Sequence, residues 1–294
     1  MATPAPSALL ELLKPITWFA PMWAFACGVV SSGATPSGQW PVIAAGVILA
    51  GPLVCATSQA VNDWYDRHVD AINEPNRPIP SGRMPGRWGL YVAAAWTLLS
   101  LVVAAALGPW ILGAALFGLV LAWIYSAPPL RLKQNGWWGN SAVALCYEGL
   151  PWFTGAAVMA AAMPDRRVLF VALLYSIGAH GIMTLNDFKS VEGDRRMGIR
   201  SLPVQLGTDG AARLACMVMA LPQVAVILSL LAWDRLWHAG LIGALLVGQF
   251  VLMARLLKAP REKAAWYNGT GTTLYVLGML VAAFALRPIV QGVP

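Results

Sequence analysis

Asn62–Gly82 reads NDWYDRHVDAINEPNRPIPSG, and it sets Asp63, Asp66, Asp70 and Glu74 close together in a chain that is only 11% charged. The run before it, residues 41–61 (PVIAAGVILAGPLVCATSQAV), carries no charge at all. A helix of about 20 apolar residues crosses a bilayer core. An uncharged run of that length ending abruptly in acids therefore reads as a membrane span closing at the water boundary. This junction decides the fold class, because the rest of the chain repeats it.

Of the 294 residues, 58% are hydrophobic, and the mean hydropathy is +0.63. Nine candidate spans follow, at about 16–33, 41–61, 88–108, 110–126, 140–162, 167–185, 211–232, 237–257 and 271–290. They are apolar all round rather than striped, which excludes a large soluble helical domain. The expectation is an all-α polytopic membrane protein, with residues 1–294 forming one integral-membrane domain. Cys27, Cys55, Cys146 and Cys216 all lie inside apolar runs, with no CxxC pair, so they read as small core residues. Glu11 and Lys14 precede the first run without a small-residue cleavage signal, which predicts a retained helix.

The formal charge of +7 is explained by topology rather than by nucleic-acid binding. With nine spans, all of the 20 Lys and Arg except Arg166, Arg167, Arg235 and Arg287 fall on one side. The positive-inside rule assigns that side to the cytoplasm and the C-terminus to the outside. Trp137 and Trp138, among 14 tryptophans, sit where an interfacial belt is expected.

The acids are not called for by that rule. NDWYDRHVD (62–70) has an echo in NDFKSVEGD (186–194), and each closes a span on the same side. Positions i, i+3 and i+7 fall within roughly 60° on a helix. Asp63, Asp66 and Asp70 thus share a face, as do Asp187, Ser190 and Asp194, and two such faces meeting would form an oxygen-rich cage. Oxygen ligands suit Mg²⁺, which shares its shell with water and phosphate oxygens. Arg77, Arg131, Lys133 and Lys189 are placed to hold the remaining phosphate oxygens. No HExxH is present, and the chain has three His, which argues against a hydrolytic zinc site.

These motifs resemble those of the UbiA family of membrane prenyltransferases. NEPNRPIPSG (73–82), NDFKSVEGDRRMGIRSLPV (186–204), LLKPITWFAPMWAFACG (12–28), CYEGLPWFTGAAV (146–158) and WYNGTG (266–271) are most similar to its pigment-esterifying branch. The resemblance implies a nine-helix bundle with cytoplasmic Asp-rich loops and a prenyl diphosphate donor, geranylgeranyl or phytyl, held through Mg²⁺. It also implies transfer to the propionate of bacteriochlorophyllide, a last stage of bacteriochlorophyll biosynthesis. Under it, Asp63, Asp66, Asp70, Asp187 and Asp194 hold metal. Asn62 and Asn186 ligate or position, while Arg77, Arg131, Lys133 and Lys189 grip phosphates. Tyr125, in YSAPPLRLK, resembles a family tyrosine beside the allylic carbon. Ser190, where many relatives carry an acid, departs from the simple pattern.

Two polar residues within spans point to the acceptor. His180 lies seven residues before Asp187, about 10 Å deeper on nearly the same face. Its readings are an axial ligand to the pigment's central Mg or a hydrogen-bonded bundle histidine. Glu148 is an acid inside span five, where it either contacts the acceptor or pairs with a basic residue. The competing functions are a chlorophyllide, quinone-precursor or haem acceptor within the same family, or a pigment-binding or transport protein without chemistry.

Overall fold

A computed structural model describes residues 3–292. Among the described residues, eight helices are long and apolar enough to cross a membrane. The count becomes nine if Pro6–Thr17 and Phe19–Ser31, bent by 53°, form one span. The helices are α1 (Pro6–Leu13), α2 (Phe19–Ser31), α3 (Trp40–Asn73), α4 (Trp88–Leu107), α5 (Pro109–Ser126) and α6 (Gly136–Ala160). They continue with α7 (Arg166–Asn186), α8 (Val191–Arg196), α9 (Leu202–Ala232), α10 (Leu236–Leu256) and α11 (Pro260–Val290).

Four expected boundaries move. The first span is broken, because α1 stops where Pro15 disfavours helix at the preceding residue. Lys14 adopts φ 47°, a strained conformation for a non-glycine residue. The seventh span begins at Leu202 rather than 211, with a kink at Gly207 (φ 70°). The ninth begins at Pro260, well before 271. α3 continues past the apolar run to Asn73, so the first acid motif is helical throughout.

Two helices contain π-helical turns, each beside a proline. In α3 the turn spans Leu49–Cys55 and contains Pro52. In α6 it spans Leu145–Gly149, just before Pro151. A proline lacks the amide hydrogen and its ring crowds the carbonyl four residues back, so the helix widens locally. The Trp96 indole donates to the Pro52 carbonyl at 3.1 Å, tying α4 to this turn.

Packing, rather than hydrophobic collapse, must hold helices together in lipid, and small residues permit it. A Cβ on Gly28 would stand 2.1 Å from the Trp152 carbonyl oxygen, and one on Gly155 would stand 2.1 Å from that of Phe25. α2 and α6 therefore touch backbone to backbone. Beside them Trp152 stacks on Tyr175 at 5.8 Å, and Tyr175 meets Tyr275 edge-on at 5.3 Å. Farther along, Gln223 of α9 and Gln249 of α10 exchange amide hydrogen bonds of 2.9 and 3.0 Å, a closed polar pair in the interior.

Candidate active site

The extension of α3 beyond its apolar run carries Asp63, Asp66 and Asp70 on one face. Asp63 is 2% exposed and Asp70 is 7% exposed. A carboxylate removed from water that far needs a counter-charge. Asp63 has two: the Lys14 ammonium at 2.6 Å and the Arg77 guanidinium at 3.4 Å. Arg77 also bonds Asp70 at 2.9 Å, and its other edge forks onto Glu74 at 2.7 and 2.6 Å. The Arg77-Pro78 turn thus folds back so that one guanidinium ties together three acids of the motif.

Asp66, on the same face, has a separate set of partners. It accepts from Lys133, lies 3.7 Å from Arg131, and receives the Asn62 amide at 2.9 Å. The same Asn62 amide reaches the Ser126 hydroxyl at 3.1 Å, linking α3 to α5. Burial holds the Lys133 ammonium below its ordinary value, and Asp66 beside it acts in the opposite sense.

In the second motif the Asp187 carboxylate accepts from the Asn140 side chain at 3.0 Å. Asp194, also buried, accepts from the Ser190 hydroxyl at 3.0 Å. The serine that departs from the repeat is therefore a positioning donor for the last aspartate. Asn186 and Lys189 are exposed, with Lys189 in electrostatic reach of Asp187.

The two motifs are bridged through the elements between them. Tyr125, at the end of α5, lies within electrostatic reach of Asp187, Asp66 and Asp194 together. The segment between α5 and α6 completes the link. Its Lys133 serves the first motif. Its backbone pairs with the second connection, where Arg200 N donates to the Gln134 carbonyl at 2.9 Å and Gly136 N to the Arg200 carbonyl at 2.8 Å. The approach is close: a Cβ on Gly136 would stand 2.6 Å from the Leu202 amide nitrogen.

The expected cage is not closed in the protein alone. Among the described residues no three His, Cys, Asp or Glu side chains converge on one point. Each aspartate of the first motif is instead engaged by a cation. The donor set still fits Mg²⁺: it is made of hard carboxylate oxygens from the two motifs, with Asn62, Asn140 and Ser190 orienting them. Mg²⁺ takes only one or two carboxylates and completes its octahedron with water and phosphate oxygens.

Glu148 and His180 lie deeper. Glu148, in the α6 π-turn, is 4% exposed, and its Oε2 is buried without a hydrogen-bond partner. Among the described residues it forms no ion pair, so of its two readings the basic partner is not met; Cys27 and Tyr275 are in its electrostatic reach. His180 is 8% exposed and its ring lies 5.9 Å from that of Trp137 at 30°. Sequence reasoning missed Lys14, Ser126 and Asn140 as parts of the site. Asn140 left a signal, as a polar side chain inside an apolar span. Lys14 was absorbed into the topology count.

An α-helical membrane bundle with a cluster of paired acids and bases at one end is the class this geometry defines. The chain belongs to the UbiA prenyltransferase family, whose pattern matches residues 19–269. It is 62% identical to the bacteriochlorophyll synthase 33 kDa chain of Cereibacter sphaeroides, over 97% of this chain and 95% of that one. Chloroplastic chlorophyll synthase of Arabidopsis thaliana is 40% identical over 94% of this chain and 73% of that one. The fold is shared with a UbiA homolog from Archaeoglobus fulgidus solved bound to GPP and Mg²⁺. That match has a TM-score of 0.74 and 21% identity, over 95% of this chain and 99% of that one.

Proposed function

We propose that the chain transfers a geranylgeranyl or phytyl group from its diphosphate to the propionate carboxylate of bacteriochlorophyllide. The bond from the allylic C1 to the diphosphate oxygen breaks, a bond from C1 to a propionate oxygen forms, and diphosphate leaves. The observation that carries this reading is the 62% identity to a bacteriochlorophyll synthase chain across 97% of this sequence. The 40% identity to a chlorophyll synthase favours bacteriochlorophyllide over chlorophyllide as acceptor.

Asp63, Asp66 and Asp70 on one side, and Asp187 and Asp194 on the other, are the residues that would hold Mg²⁺. When bound, Mg²⁺ supplies charge stabilisation to the departing diphosphate. Lys14, Arg77 and Lys133 pair with the aspartates and neutralise them. They are placed to turn onto phosphate oxygens, together with Arg131 and, from the rim, Lys189. Asn62, Asn140 and Ser190 keep Asp66, Asp187 and Asp194 oriented, and Asn186 stands at the same rim. The Tyr125 ring, between the motifs, offers an electron-rich face to the positive charge that develops at C1. The acceptor requires no general base, since a carboxylate of pKa about 4 is already ionised at neutral pH. What the bundle must do is orient that carboxylate and keep water from C1. Glu148 and His180, deeper in the bundle, are assigned to the macrocycle.

The test is a reconstituted reaction with purified protein, geranylgeranyl diphosphate and bacteriochlorophyllide. Esterified pigment and diphosphate should appear together, stop with a chelator and return with Mg²⁺. Pigment binding without diphosphate release under any metal condition would make the protein a scaffold instead. Equimolar chlorophyllide in the same vessel reads the acceptor preference directly.

A further inference from the structure

The polar stripe of α3 does not begin at the aspartates. Gln59 stands one turn before Asp63, about 6 Å deeper in the bundle, and on the same face as Asn62, Asp63 and Asp66. Its side-chain amide donates to the Tyr147 hydroxyl of α6 at 3.1 Å. The Cys55 thiol lies 3.4 Å from that hydroxyl, and the Thr17 hydroxyl, from just before α2, lies 3.5 Å from the thiol. Both π-turns supply this cluster: Cys55 closes the one in α3, and Tyr147 lies inside the one in α6. Single π-turns within α-helices are frequent at functional positions.

The pair is open where the other glutamine pair of the bundle is closed. Gln223 and Gln249 are fully buried and satisfy each other in both directions. Gln59 and Tyr147 are half-buried and share a single bond. The Gln59 amide keeps its second hydrogen, and no described carbonyl or carboxylate oxygen accepts the Tyr147 proton. Two donors 3.1 Å apart match the two oxygens of one carboxylate. The depth fits as well: with diphosphate at the aspartates, a nucleophile attacking C1 opposite the leaving oxygen comes from the deeper side. The donors are neutral, so they orient a carboxylate and leave its charge free to attack, where a cation would hold it back. Glu148, the next residue, is instead in electrostatic reach of Cys27 on α2 and Tyr275 on α11. We infer that Gln59 and Tyr147 form the subsite for the acceptor's carboxylate, one turn below the aspartates, an assignment that rests on the proposed transfer to a propionate.

Equilibrium binding of bacteriochlorophyllide and of its propionate methyl ester to the purified protein, without donor, tests the inference through quenching of tryptophan fluorescence. The two pigments differ only in the carboxylate. Wild type should bind the free acid about tenfold more tightly than the ester, the scale of one charge-assisted contact. Tyr147→Phe and Gln59→Met, each close in size to the native residue, should lose that preference by weakening the acid and leaving the ester unchanged. A merely structural role for the pair would weaken both pigments alike. The KM for geranylgeranyl diphosphate should stay at the wild-type value in both variants, while the KM for the free acid rises about tenfold. Wild type that binds acid and ester equally, or variants that keep the full preference, would overturn the subsite. Ester formation by wild type in the reconstituted reaction judges the transferase reading separately: a working transferase with an unchanged preference in both variants sinks this assignment alone.

Discussion

At the scale of single residues, Asp63 is the most constrained carboxylate of the site, since two cations reach it while it is almost fully buried. Asp63→Asn keeps the shape and removes the charge. Turnover should fall about 100- to 1,000-fold, as when a preorganised electrostatic contact to a transition state is lost. The Mg²⁺ concentration for half-maximal rate should rise, and the fold should survive because Lys14 can still donate to the amide oxygen. An unchanged metal requirement in steady-state esterification assays would remove Asp63 from the metal set. Glu148 calls for a different readout. Its Oε2 faces no protein partner, so Glu148→Gln should raise the KM for pigment about tenfold, the value of one good polar contact of about 1.4 kcal/mol. The melting temperature should barely move, and normal turnover at low pigment would sink the acceptor role. For His180→Ala, the visible spectrum of bound bacteriochlorophyllide is the decisive signal. An unshifted spectrum with unchanged affinity would leave His180 as the packing partner of Trp137.

At the scale of elements, the contact between α2 and α6 has no slack, because Gly155 rests on the Phe25 carbonyl. Gly155→Leu should force the helices apart and lower stability by about 1–3 kcal/mol, the usual cost of overpacking. A thermal melt in detergent reads this, and a melting temperature equal to wild type would show that the contact is dispensable. The same pair marks how far the sequence could be read. Uncharged runs near 20 residues announce helices whatever their neighbours, so nearly every span stood in the sequence. Helix period placed Asp63, Asp66 and Asp70 on one face without any knowledge of the fold. Pairings across the bundle leave no such trace. Lys14 reaches Asp63 only because the chain breaks before Pro15, and Asn140 meets Asp187 only because α6 lies beside α7. Ser190 looked like a weakened repeat, and its hydroxyl became intelligible once Asp194 was placed beside it.

At the scale of the whole molecule, the charge distribution makes a directional claim. All but four of the 20 Lys and Arg fall at the end of the bundle that holds the aspartates. Basic residues near span ends resist translocation, so this end should face the cytoplasm, where Mg²⁺ and released diphosphate exchange with a soluble pool. Labelling single cysteines in spheroplasts checks it. Glu262 lies exposed in the first turn of α11, at the aspartate end. Met163 is 50% exposed in the connection between α6 and α7, at the other end. Native Cys27, Cys55 and Cys216 are buried and Cys146 is half-buried, so background labelling should be low. A membrane-impermeant maleimide should modify Met163→Cys in intact spheroplasts, and Glu262→Cys only after permeabilisation. The reverse pattern would place the aspartates outside.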